Sequence, residues 1–142
     1  MTPHNAQRFF KYIGIPYSAY GKRPGLNCWE LVEKVMIDEF GIVPPHYEYD
    51  DDYRKVDSLF VSELQRWQHI EYDDRRPGDL ILLIVQGVPI HLGILIDQNL
   101  MLHTLPGIES VCEDFTRQPW KNRISGIYRW IATNKSSSAM AG

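Results

Sequence analysis

The run from Leu80 to Thr104, LILLIVQGVPIHLGILIDQNLMLHT, constrains the fold more than any other part of the chain. It opens on a continuous apolar segment, breaks at QGVP, resumes as IHLGILID, and closes on LMLHT. Short apolar runs separated by turn residues predict adjacent antiparallel strands. In the middle run Ile90, Leu92, Ile94 and Ile96 fall on one face, and His91, Gly93 and Leu95 on the other. Upstream the period is helical. Leu31, Val32, Val35, Met36 and Phe40 form one stripe. Asn27 is placed to cap that helix, Glu30 to return the bond in a capping box, and Gly41 to stop it before Pro44 and Pro45. A short first helix is expected over Pro3–Tyr12, with Phe9, Phe10 and Ile13 as apolar residues. Another is expected over VDSLFVSELQRW, with Leu59, Phe60 and Leu64 inward. Further strands are expected near IESVCED and SGIYRWI. Helices followed by an antiparallel meander make an α+β fold. One domain is expected over residues 1–132, with TNKSSSAMAG as a disordered tail over 133–142.

A chain of 142 residues suits a single core. A net charge of −3 gives no argument for nucleic acid or an anionic membrane. No apolar run reaches the roughly 18 residues of a membrane span. The opening MTPHNAQRFFKYIG lacks the basic and apolar regions of a secretory signal, so none is expected. Two cysteines, Cys28 and Cys112, do not build a disulfide framework and are expected as thiols from a reducing compartment.

Three residues carry the chemical interest. Cys28 falls at the first position of the capped helix, where unsatisfied amides and the helix dipole favour a thiolate. A three-residue loop at Asp97–Asn99 sets Gly93 opposite His103. His91 and His103 then become diagonal neighbours on one face, and a two-residue loop would separate them. A thiol with a base and an orienting partner is the pattern of nucleophilic catalysis. The bland readings stay open: Cys28 as a small buried hydrophobe, and each histidine as a structural residue. A Cys-His-His metal site lacks a paired ligand motif, and no metal or cofactor is expected. Cys112 reads as structural. His4, His46 and His69 read as surface residues, Glu48–Asp52 as a solvated acidic loop, and Asp79 as a turn hydrogen-bonder.

Taken in order, several segments resemble the NlpC-type papain-like cysteine peptidases, and more narrowly their phage-tail, cell-wall-cutting branch. They are GIPYSAYG, NCWELVEKVMIDEFGIVPPHY, RPGDLILLI, HLGILI, LMLHT and GIYRW, spread from about Gly14 to Trp130. The resemblance implies Cys28 as nucleophile, His91 as general base, His103 as the residue that holds and polarises it, and Tyr17 as a substrate-proximal aid to the oxyanion hole. It implies hydrolysis of peptidoglycan stem peptides, typically between D-glutamate and the following diamino acid. Its partners would be that peptide and other tail-tip proteins, and its location the virion tail tip after synthesis in the host cytoplasm. Asn27 stands where the family usually has Asp, and Glu30 where a glycine is expected. Glu30 and the bulky Trp29 motivate a competing reading, an inactive tail-assembly protein with the same fold. A related amidase or acyltransferase is a third.

Overall fold

A computed structural model describes residues 7–18, 25–48 and 53–131. His4, Asp50–Asp52 and the expected tail lie outside the described residues. Among the described residues two α-helices, α1 (Cys28–Phe40) and α2 (Tyr53–Glu63), precede six strands: β1 (Gln68–Ile70), β2 (Leu80–Val85), β3 (Val88–Leu95), β4 (Leu100–His103), β5 (Val111–Asp114) and β6 (Ile124–Arg129). The strands form one antiparallel sheet in the order β1-β6-β2-β3-β4-β5. The expected α+β architecture is the observed one; β1 is an addition to it.

The capping box on α1 is complete. Asn27 Oδ1 accepts from Glu30 N–H at 2.9 Å, and Glu30 Oε1 accepts from Asn27 N–H at 3.0 Å. Such a cap contributes about 1 kcal/mol. Gly41 takes φ +64° and ends the helix, as a residue without Cβ does most cheaply. The N-terminal segment is a 3-10 helix, Gln7–Tyr12. Three residues per turn align Phe9 with Tyr12, so these two are buried while Phe10 is 59% and Ile13 41% exposed.

The sheet is covered on both faces. On one, Leu80, Leu82, Leu92, Ile94 and Leu102 meet Leu31, Val32, Val35 and Met36 of α1, together with Val56 and Phe60 of α2. On the other, Ile81, Leu83, Leu95, Met101 and Ile127 pack under Phe115 and Trp120. This double burial accounts for the unbroken apolar character of LILLIV. Asp79, just before β2, binds Arg129 at the end of β6 through both oxygens, at 2.7 and 2.8 Å, and also accepts from Arg76 N–H at 2.8 Å. Its expected turn bond is present, with a partly buried ion pair added.

The β3–β4 connection sets the register. Asp97 Oδ1 accepts from Asn99 and Leu100 N–H, each at 2.7 Å, and Ile96 N–H donates to Leu100 O at 3.0 Å. The pairs are Leu95↔Met101, Ile94↔Leu102 and Gly93↔His103, as the three-residue loop requires.

Candidate active site

The sheet changes character at His103. β4 ends there, paired with Gly93, whereas β3 runs on through Val88–Leu92 beyond that pair. The N-terminal segment is tied to this end. Gly14 N–H donates to Ser110 O at 2.8 Å, and Ser110 N–H to Ile15 O at 2.9 Å. Ser110 directly precedes Val111, the β5 partner of His103. Tyr17 then forms a parallel bridge with Leu26, through Leu26 N–H to Pro16 O at 3.0 Å and Ser18 N–H to Leu26 O at 3.1 Å. Cys28 follows two residues later as the first residue of α1, which packs across β3 and β4. These backbone bonds link the segment that carries Tyr17 and leads into α1 to the strand next to the end of β4. Cys28 is not in a disulfide, is 1% exposed and belongs to the helix-side core.

His91 and His103 lie on the sheet face opposite α1, with Met101 and Trp120. Both rings are buried, and His91 Nε2 lies 2.8 Å from His103 Nδ1. Gly93 permits this approach. A Cβ at that position would stand 3.4 Å from His103 Cβ, 3.3 Å from Met101 Sδ and 3.2 Å from Ile81 Cγ2. Two further residues complete the arrangement. Glu113 Oε2 lies 2.5 Å from His103 Nε2 and accepts from Trp120 Nε1–H at 3.0 Å. The Trp120 ring centroid is 5.1 Å from that of His103 and 5.8 Å from that of His91, so the indole covers the pair.

These bonds fix the protons. A carboxylate only accepts, so His103 Nε2 carries hydrogen. In the neutral ring His103 Nδ1 then accepts, so the hydrogen between the rings sits on His91 Nε2. The neutral His91 is left with its lone pair on Nδ1. No hydrogen-bond partner reaches that atom among the described residues. Trp29 Nε1 and Thr104 Oγ1 share that property, but neither is a base at neutral pH. Burial, and then the neighbouring His103 ring, hold His91 well below the usual imidazole range. Burial also lowers His103, against the opposing pull of Glu113. Both nitrogens of His103 are committed, so the pair offers a single free lone pair, too few donors for a metal.

The other singled-out residues stand apart. Cys112 is a half-buried free thiol on β5, raised to about 11 by burial and by Asp97. His46 is exposed and binds Glu33 and Glu48, which raise it. His69 is exposed beside Tyr128. The Glu30 carboxylate is engaged in the cap. Trp29 is buried among Tyr47 and Trp67. Glu113 and Trp120 were not legible as parts of the site. The alternation of SVCED puts Glu113 on the His103 face, but only once Val111 is known to pair with His103.

The NlpC/P60 family model matches residues 14–129. No curated protein matches the chain. A Staphylococcus aureus protein of the NLP/P60 family, described as similar to a lipoprotein, has 22% identity and a TM-score of 0.62 over 92% of this chain and 43% of its own. The NlpC/p60 domain of the peptidoglycan hydrolase SagA has 19% identity and a TM-score of 0.60, covering 87% of this chain and 94% of that domain. The P60 domain of an antigen from M. avium subspecies paratuberculosis has 18% identity and a TM-score of 0.58, covering 89% and 91%. The chain thus spans less than half the length of the S. aureus protein. At these identities the likeness is one of fold.

Proposed function

The chain belongs to the NlpC/P60 family, and from that premise we propose that it is a cysteine endopeptidase cutting peptidoglycan stem peptides. The bond would be of the D-glutamyl–diamino acid type. The observation that carries the reading is the buried Nδ1 of His91, without a hydrogen-bond partner among the described residues and held as a base by the His91–His103 bond. Cys28 Sγ gives its proton to His91 Nδ1, and the thiolate attacks the peptide carbonyl carbon. The oxyanion forms beside Tyr17 and the Cys28 amide. His91 returns the proton to the departing amine, leaving a thioester on Cys28. Water, deprotonated by His91, then releases the acyl peptide and restores the thiol.

The reading makes one demand on geometry. Because α1 and the histidine rings lie on opposite faces, thiol and base must meet around the open end of β4, with sulfur within about 4 Å of Nδ1 for proton transfer. The Tyr17–Leu26 bridge and the Ser110 contacts support this by anchoring the start of α1 there. The features that motivate an inactive protein are otherwise engaged: Glu30 in the cap, Trp29 in the core.

The cysteine–tryptophan helix, the Phe40–Gly41–Ile42 step and the GIYRW strand support a place in a phage or prophage tail tip, where cleavage would aid wall penetration. The virion is then its location, and other tail-tip proteins its neighbours. Purified tails should contain the chain, and tails lacking it would refute that placement. For the chemistry, purified stem peptide is incubated with wild type and with Cys28→Ala, and products are identified by mass spectrometry. Cys28-dependent cleavage at a D-glutamyl bond is expected. Cleavage at another amide, or acyl transfer, would replace the endopeptidase reading with an amidase or acyltransferase. No Cys28-dependent product from any sacculus or stem peptide would end it.

A further inference from the structure

We propose that Glu113 is a positioning residue that sets the direction of the histidine chain, and that with Trp120 it extends the site to a four-residue relay; this rests on the cysteine-peptidase reading above. A pair of neutral imidazoles joined by one hydrogen bond has no preferred direction, since either ring can donate. With the hydrogen on His91 Nε2, Nδ1 is a base. With it on His103 Nδ1, His91 Nε2 becomes the acceptor and Nδ1 carries hydrogen, which cannot take up the proton of a thiol. Something outside the pair must choose between these states.

Glu113 is the group placed to do so. Its Oε2 accepts from His103 Nε2 at 2.5 Å, and the 3.0 Å bond from Trp120 Nε1–H holds that oxygen in position. Among the described residues Arg123 also approaches the cluster, its guanidinium 5.6 Å from the Trp120 ring centroid and not on the chain of bonds. When His91 takes the Cys28 proton at Nδ1, the positive charge forms inside a buried pair. His91 Nε2–H then donates to His103, and His103 Nε2–H to the carboxylate. The charge is stabilised without any further proton leaving the chain. Glu113 itself lies toward solvent, its side chain 39% exposed, so its removal does not open a core cavity.

The test reads tautomers and thiol reactivity, neither of which needs a substrate. In wild type with 15N-labelled histidine, both rings should report the Nε2–H tautomer near neutral pH. In Glu113→Ala the two should become a mixture. Iodoacetamide alkylation of Cys28 should slow about tenfold near neutral pH, the equivalent of one pKa unit. The deficit should vanish at alkaline pH, where the thiol ionises without help. Glu113→Gln keeps the shape and loses the charge, and should fall between the two. A general loosening of the fold would not converge with wild type at high pH. Wild-type His91 bearing its hydrogen on Nδ1 overturns the proposal, as do Glu113→Ala tautomers and a rate profile that overlay wild type. If no stem peptide is cut but the tautomers respond to Glu113, the relay stands and the peptidase reading falls.

Discussion

Gly93→Ala tests whether space, rather than backbone freedom, is what the position supplies. Gly93 is not among the glycines with positive φ, so its backbone suits alanine. The cost is steric. The new methyl meets Ile81 Cγ2 at 3.2 Å, Met101 Sδ at 3.3 Å and His103 Cβ at 3.4 Å, all three side chains fully buried. Met101 is flexible but enclosed. Ile81 is stiff at χ1. His103 is held by a bond at each ring nitrogen. Overpacking of this kind costs about 1–3 kcal/mol. Loss of chain entropy in the unfolded alanine form returns about 0.4–1 kcal/mol. The net is a destabilisation of about 1–2 kcal/mol, or a fall in Tm of about 3–7 °C at roughly 2.1 cal/mol/K of unfolding entropy per residue. Thermal unfolding followed by circular dichroism measures it. The ring that yields should be His103, so Cys28 alkylation should slow in the same variant. An unchanged or raised Tm would show that the neighbours relax freely, and the claim that Gly93 makes room for the pair would fail.

Two further outcomes follow from the electrostatics. Asn27→Asp keeps the cap but sets a carboxylate beside Cys28, so alkylation by iodoacetamide near neutral pH should slow about three- to tenfold, and an equal or faster rate would contradict the role given to the helix start. Burial holds His91 and His103 below their unfolded values, so the unfolded chain binds more protons below about pH 6.5 and stability should rise with pH there. The urea midpoint should accordingly fall between about pH 7.5 and 5.5; His46, raised by Glu33 and Glu48, opposes this from an exposed site, and a flat midpoint would show that the histidines are not held neutral.

Much of this was legible because it is local. Asn27, Glu30 and Gly41 bracket α1 by chemistry that acts within one turn. The β3–β4 register follows from a three-residue loop, so the meeting of His91 with His103 could be read from the thirteen residues that span them. What was not legible depends on long connections. Glu113 reaches His103 only after the irregular segment 104–110 returns β5 in the right register. Trp120 and Phe115 cover the second sheet face from a segment without apolar periodicity. The N-terminal burial pattern was not legible from the apolar residues alone, because a 3-10 turn pairs Phe9 with Tyr12 and turns Phe10 outward.

Register alone does not make a helix-borne thiol and a sheet-borne base into partners. Alternation puts α1 against Leu92 and Ile94, and the His91 ring on the other side with Trp120. Through a continuous sheet the two would never meet. The unequal strand lengths change this. β4 has four residues and β3 has eight, so the β3–β4 ladder ends at Gly93–His103 while His91 lies just past it. There the neighbouring strand has ended, and the segment leading into α1 is bonded to Ser110, next to the β5 partner of His103. On the proposed function, the decisive feature of the fold is therefore where β4 stops. Lengthening that strand by one ladder pair would preserve both histidines, their bond and the core, yet place backbone between sulfur and ring.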